Sequence, residues 1–348
     1  MTPSAPAISV IVVFHNAETT IERTLRSLAG QTFDDVEYIF VNDGSTDRSV
    51  ELLEDFVALH PEFTGRHTLI SEPLRRGVAH GSALGYAQAA GEYVMRCDAD
   101  DYLEPDALEL MYKATEGGLA DCVAAPYFHD TGRKTRTVGY GGHYPQSLND
   151  MPVDTLNFSL WNKLLRRRML DDNGIEVYDG VDCWEDLGVV ARFMALRPVM
   201  RFVDRPLYHY MVVKGGASLS RSNRDRLLED HLMMALLLEQ WFEQQGLHDE
   251  YDEFLTRLKF CSKVKLLRGR DKDVRRWKDT FPEVNGRIMG IRHVAWWWKL
   301  MFGLVAVLPA RFTQWIADRC EVFYAREHAD AVQARPHDSH PNIPRGNA

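Results

Sequence analysis

The sequence predicts an α/β fold, an open and mostly parallel sheet flanked by helices, followed by a helical C-terminal region. Three observations carry that reading. β-Branched apolar runs alternate with stretches of helical periodicity through the N-terminal part of the chain, the sequence form of stacked βαβ units. Acidic residues fall where those strands end, the edge at which open α/β sheets bind ligands. Beyond residue 223 the apolar spacing is helical only.

Taken in order, Ile8-Ser-Val-Ile-Val-Val-Phe14 reads as a buried central strand. Ile21, Leu25 and Leu28 recur at helical spacing, with Gly30 placed as a C-cap. Residues 36–41 form the second strand. Asn42-Asp-Gly-Ser-Thr-Asp47 is then a turn into a helix with Val50, Leu53 and Val57 on one face. A third strand follows over 67–70 and a third helix over 77–90. The fourth strand, 91–97, runs directly into Asp98-Ala-Asp-Asp101, and Pro105 beside Asp106 suits the first turn of another helix. Residues 132–157 have little periodicity and read as loops or short strands. Residues 161–169 and 186–195 read as helices, 199–203 as a strand and 215–222 as a flexible loop. Long helices follow from 223, with Leu228, Leu232, Leu236 and Trp241 in the apolar stripe and Gly246 closing the element. The last dozen residues, with Pro336, Pro341 and Pro344, read as a disordered tail.

Composition narrows the function classes. With 348 residues, 45% hydrophobic and 26% charged, the chain can bury a substantial core in one large or two small domains. Its 41 basic and 50 acidic residues leave a net charge of −9, which lacks the basic footprint of a nucleic-acid binder. Nucleic acid is therefore not an expected partner. Five scattered cysteines (Cys97, Cys122, Cys183, Cys261, Cys320) show no CxxC or Cys/His cluster and read as reduced thiols of a cytoplasmic protein. No Lys or Arg precedes the first apolar run, so export is not indicated. Residues 294–308 are apolar apart from Lys299, yet fall short of the roughly 20 residues that span a bilayer.

Two acidic groups carry chemistry. Asp98, Asp100 and Asp101 cluster just past a strand end, and hard divalent cations such as Mn²⁺ or Mg²⁺ take such oxygen ligands together with substrate phosphates. Such a cation would neutralise a diphosphate leaving group. Glu185 and Asp186 form an acidic pair at a helix start, and a carboxylate there can serve as a general base. The alternatives, a solvated acidic turn and a helix-start pair, are left open by the residues alone.

Context adds a family. Ile8 to Glu18, Ser27-Leu-Ala-Gly-Gln-Thr-Phe33, Val41-Asn-Asp-Gly-Ser-Thr-Asp47, Gly91-Glu-Tyr-Val94 and Asp98-Ala-Asp-Asp101 together resemble glycosyltransferase family 2, in order and at suitable spacing. The resemblance continues at Trp161-Asn-Lys-Leu-Leu-Arg-Arg167, Trp184-Glu-Asp-Leu187, Tyr208-His-Tyr210 and Ser218-Leu-Ser220, and covers about the first 220 residues. It implies a GT-A fold and an inverting, metal-dependent transfer of a sugar, of UDP-hexose type, from a nucleotide-diphosphate sugar to a glycan or lipid-linked glycan.

Carried residue by residue, the resemblance implies nucleotide-sugar contacts at Val13, His15, Glu18, Asp43, Asp98 and Asp100. His15 stands where the family has Tyr and Val13 where it has Pro. Ser82-Ala83 replaces an Arg-Asn pair, a lost contact for which Arg75, Arg76 or His80 could substitute. Asp186 is implied as the base, with Glu185 as the alternative. Asp98 and Asp100 are implied as metal ligands, with His209 as a third. Lys163, Trp184 and Ser218 are candidate acceptor or diphosphate contacts, against a solvated helix face or a core position. By the same reading, residues 1–115 form the nucleotide-sugar half of the GT-A domain, 116–222 the acceptor half, 223–335 a helical region that can associate with membrane, and 336–348 a disordered tail.

Trp296-Trp-Trp-Lys-Leu-Met-Phe302 concentrates aromatics as an interfacial helix does, and Arg292, Lys299 and Arg311 can reach headgroups. An anionic membrane surface is thus a candidate partner through 292–311, placing the enzyme at the inner face of the cell membrane. A buried helix explains the same residues. Two rival functions remain: a non-catalytic nucleotide-sugar or carbohydrate binding module, which would tolerate loss of either acidic motif, and a nucleotidyltransferase, whose Gly-rich triphosphate loop is not visible near the first strand.

Overall fold

The computed structural model describes residues 5–142, 145, 147–212, 224–267, 273–309 and 312–313. Ser218, the loop around it, Arg311, Cys320 and residues 336–348 lie outside the described residues. The first half alternates β1 (Ile8–Phe14), α1 (Ile21–Ala29), β2 (Val36–Asp43), α2 (Ser49–Leu59), β3 (His67–Glu72), α3 (Val78–Gln88) and β4 (Tyr93–Arg96). Shorter elements follow: β5 (Tyr102–Leu103), α4 (Ala107–Lys113), β6 (Cys122–Ala124), β7 (Tyr127–Asp130), β8 (Thr135–Val138), α5 (Thr155–Phe158), β9 (Lys163–Arg166), α6 (Arg167–Asp172), α7 (Glu185–Ala195), β10 (Met200–Phe202) and β11 (Tyr208–Met211). The described residues beyond 223 form helices: α8 (Arg224–Gln244), α9 (Asp252–Val264), α10 (Val274–Asp279), α11 (Pro282–Asn285) and α12 (Trp296–Val307).

A seven-stranded sheet in the order β10-β6-β9-β4-β1-β2-β3 forms the centre, and only β9 runs antiparallel to its neighbours. β1, between β4 and β2, is buried at every position because helices cover both faces. The order β3-β2-β1-β4 reverses direction between β1 and β4, which creates a crevice at their carboxyl ends. His15 follows β1 and Asp98 follows β4, so both sit at that crevice. A second sheet, β5-β11-β7-β8, contains strands of two to four residues.

The sequence expectation fails at 161–169, where β9 and the start of α6 replace the expected helix. Leu164 and Leu165 are both buried, facing opposite sides of the sheet, and pair with β6 at Val123 and Cys122. Pairing across the sheet outweighed local helix preference there.

The chain divides into two compact units, Met1–Leu255 and Thr256–Ala348. In the first, Ile8, Val10, Val12, Phe40, Tyr93 and Leu164 belong to one apolar cluster. In the second, Phe302 of α12 stacks on Trp298 and Trp277 and meets the edge of Phe260.

Candidate active site

The loops after β1 and β2 are stitched together before any ligand is considered. Asn16 N–H donates to Ser45 Oγ (3.0 Å), Ala17 N–H to Ser49 Oγ (2.7 Å) and Glu18 N–H to Asp47 Oδ2 (3.0 Å). His15 Nδ1 lies 2.7 Å from the Asp43 carbonyl. The buried Asp43 carboxylate accepts from the N–H groups of Arg76 (2.6 Å) and Gly77 (2.9 Å), which ties the loop after β3 to the end of β2. Each oxygen keeps lone-pair capacity for a further donor. Gly44 makes this approach possible. Its φ is +63°, and a Cβ there would lie 2.4 Å from the backbone of Leu74 and Arg75.

Val13 is buried beneath α3, where its Cγ1 would lie 2.5 Å from a Cβ at Gly81. It therefore shapes the floor of the crevice. Two acidic residues that the sequence reading passed over close the other side. Asp182 Oδ1 accepts from Ala79 N–H in the first turn of α3 (3.1 Å), while Asp179 Oδ2 lies 3.1 Å from His80 Nδ1 and 3.4 Å from Arg76.

The acidic cluster after β4 contains three different carboxylates. Asp101 is buried and structural, accepting from Tyr208 Oη (2.8 Å) and Met211 N–H (2.7 Å). Burial, then the charges of Asp98 and Asp100, hold its carboxyl well above the usual range. Asp98 is partly exposed, and its own N–H donates to Tyr208 Oη (3.0 Å). Asp100 is exposed at its surface, while crowding and the Asp98 charge push its carboxyl up to about 6. Arg23 and Thr24 of α1 donate to the carbonyls of Asp100 and Asp101, which fixes the turn.

Arg96 joins this cluster to the second acidic pair. Its buried guanidinium lies 3.1 Å from Asp98 Oδ1 and 2.7 Å from Glu185 Oε1, and donates to Ser82 Oγ (2.8 Å). Glu185 is thereby engaged. Asp186, the next residue of α7, accepts Leu187 N–H (2.7 Å). Its enclosure by protein atoms, then the Glu185 charge, pushes its carboxyl up to about 8.

Trp184 sets the direction of that pair. Its φ of +66° places a bulky residue in the left-handed region immediately before α7, a conformation costing about 1–3 kcal/mol that surrounding contacts must hold. The Trp184 ring meets His231 of α8 edge-on at 4.3 Å, and Cys183 N–H donates to Asp230 Oδ2 (3.1 Å).

Other candidate residues occupy different surroundings. Lys163 is buried and spends its ammonium on Leu156 O (3.1 Å), Ser159 O (2.8 Å) and Asn162 Oδ1 (2.7 Å). Arg166 binds Asp121 and Glu92, and Arg168 binds Asp172. His209 lies between Tyr102 and Phe128, ring centroids 4.0 and 4.4 Å away, with Nε2 2.7 Å from Glu104 Oε1. Among the described residues, the three-ligand set that converges is Glu239, Glu243 and His248, on α8 and just beyond.

The fold is of the GT-A class, and comparison with known proteins supplies the family and with it the class of transferase. Residues 9–174 match the family model for glycosyl transferase family 2. A protein named glycosyltransferase EpsH, from Bacillus subtilis (strain 168), is 30% identical over 266 residues, covering 72% of this chain and 74% of its own. The cholesterol galactosyltransferase of Borreliella burgdorferi is 25% identical over 261 residues, 70% of this chain and 69% of its own. S. aureus TarS shares the fold, with a TM-score of 0.63 at 17% identity, over 90% of this chain and 55% of that one. TarS 1–349 gives a TM-score of 0.60 at 19% identity, over 95% and 93% of the two chains. The chain belongs to glycosyltransferase family 2, and it is a glycosyltransferase.

Proposed function

We propose that this glycosyltransferase moves a hexose-type sugar from a UDP-sugar to a glycan or lipid-linked glycan with inversion, with a divalent cation at Asp98 and Asp100 and with Asp186 as general base. The observation that carries the reading is the Arg96 bridge, because one guanidinium sets the β4 acidic cluster against the acidic start of α7. TarS 1–349, a chain of the same fold, has been seen with UDP-GlcNAc and with UDP. Peripheral association with an anionic membrane through residues 292–311 is part of the reading, as is the division into a donor half (1–115) and an acceptor half (116–222).

In this reading the base of the nucleotide lies over the joined loops after β1 and β2, beside His15, and donates a hydrogen bond to Asp43. Asp98 and Asp100 fit a cation such as Mn²⁺ or Mg²⁺: both offer hard oxygen donors, and the Asp100 carboxyl, raised by burial and then by the Asp98 charge, is one that a nearby positive charge would favour in its ionised form. When bound, such an ion neutralises the diphosphate leaving group. Asp186 accepts the proton of the acceptor hydroxyl as its oxygen bonds to the anomeric carbon and the bond to the diphosphate breaks. Burial and the Glu185 charge raise the Asp186 carboxyl, so its ionised form is a stronger proton acceptor than an ordinary aspartate. Glu185 stays bound to Arg96, which leaves Asp186 as the base. With its ammonium already spent inside the fold, Lys163 is assigned no ligand contact.

A thermal-shift panel of UDP-, GDP- and dTDP-sugars with Mn²⁺ tests the donor, since a ligand that binds only the native state raises stability with occupancy. Stabilisation by UDP-sugars above the others is expected. Equal response to all three, or to none, would overturn the donor assignment.

A further inference from the structure

A helix on a protein surface normally turns a polar face outward, and α12 does not. Trp298, Phe302 and Val305 form one stripe that is buried in the C-terminal unit. The opposite stripe, Trp296, Leu300, Leu304 and Val307, is equally apolar and is exposed, with Trp296 at 73% and Val307 at 78%. Met289 extends the exposed stripe: it is itself exposed, and its sulfur lies 3.8 Å from a Cβ placed at Gly303 on the same face. The stripe covers about 16 Å of helix at 1.5 Å per residue, and no described helix is long and apolar enough to cross a membrane.

Charge identifies what covers it. Residues 256–313 hold 14 Lys and Arg against 4 Asp and Glu, a net +10 in a chain whose total is −9. The remaining residues therefore stand at −19. Such asymmetry marks a surface for an anionic partner. Several of these cations flank the stripe. Arg287 and Arg292 are exposed on either side of Met289 in the sequence, and Lys278 Nζ donates to the carbonyl of Leu308 at the C-terminal end of α12. An anionic protein would not require an exposed tryptophan and a row of leucines; an anionic lipid surface uses both the apolar face and the cations around it.

We infer that α12 lies in the plane of an anionic bilayer, with Trp296, Leu300, Leu304 and Val307 inserted among the acyl chains and Arg287 and Arg292 at the headgroups. The inference deepens the peripheral association proposed above by naming its surface. It rests on α12 and its flanks, and the vesicle experiment below involves neither sugar donor nor acceptor. A failed donor assignment would leave its outcome unchanged.

Co-sedimentation with vesicles of phosphatidylcholine alone, and with 30% phosphatidylglycerol added, is the test. The full chain should bind the anionic vesicles and lose most of that binding at 0.5 M salt, about 4 Å of Debye screening. Leu300→Glu, on the exposed stripe, should abolish binding and leave the melting temperature unchanged. Arg287→Glu with Arg292→Glu should weaken binding to anionic vesicles about tenfold or more, at about 1 kcal/mol per cation. A wild-type chain that ignores anionic vesicles at low salt would overturn the inference. So would a Leu300→Glu variant that melts earlier or dissociates a dimer, since the stripe would then be covered by this chain or by a second copy.

Discussion

Arg96 and Glu185 stand 89 positions apart in the sequence and 2.7 Å apart in the structure. The same guanidinium lies 3.1 Å from Asp98, so the end of β4 and the start of α7 share a single buried cation. Removing one member of a buried ion pair strands its partners and costs about 3–5 kcal/mol. Arg96→Met should therefore lower stability by that order in chemical denaturation. Adding Glu185→Leu should recover part of the loss, and a strictly additive double variant would show that the pair is not coupled.

Gly77 tests the proposed nucleotide crevice. Its φ is +114°, and a Cβ there would lie 2.2 Å from Asp182 Oδ1, so Gly77→Ala must swing the Asp182 carboxylate off Ala79 N–H and strain the loop that Asp43 holds. UDP affinity should fall about tenfold, the equivalent of 1.4 kcal/mol, by calorimetric titration. Unchanged affinity would remove Asp43 and its loop from the proposed binding site.

Asp186 links rate to stability. Its carboxyl is raised to about 8 from 3.8, so between those values the folded state holds a proton that the unfolded state releases. Stability from this group is full below 3.8 and is lost as pH rises through 8. Asp186→Asn should thus melt higher than wild type at pH 8.5, while its turnover falls by about 10² to 10⁴. A variant that transfers sugar at the wild-type rate would assign the base to another residue, with Glu185→Gln as the next to examine.

Lys163 carries the opposite sign. Burial lowers its ammonium from 10.5 to about 8, so the folded state holds fewer protons than the unfolded state between those values. Stability from this group rises with pH across that window, by about 3 kcal/mol at 1.36 kcal/mol per unit. Lys163→Met should flatten that rise in denaturation curves taken from pH 7.5 to 10, and it should leave the donor KM unchanged. A large increase in donor KM at constant stability would return Lys163 to the ligand.

The legible parts of the fold were those written locally. β1 is a continuous apolar run, and Asp98-Ala-Asp-Asp101 and Glu185-Asp186 sit at element ends where strand and helix signals change. The four short strands of the second sheet carry too few residues for a period; β7 and β8 form a local hairpin, while β11 joins the sheet through the distant strands β5 and β7. At β9, two adjacent leucines followed by arginines fit either period, and only the partner strands decide. Arg96 escaped notice because a lone arginine in a strand has no local signature; its function lies in Ser82, Asp98 and Glu185, brought together by α3, β4 and α7. Asp179 and Asp182 were missed for the same reason, as their partners are about a hundred positions away.

In the proposed function, Asp98 and Asp100 hold a divalent cation against a nucleotide diphosphate. Calorimetric titration of UDP into wild type and Asp100→Ala, each with Mn²⁺ and with EDTA, tests it most directly. Binding to wild type that requires Mn²⁺, and that is largely lost in Asp100→Ala, is the predicted result. Equal UDP affinity in Mn²⁺ and in EDTA, with Asp100→Ala binding as wild type does, would contradict it.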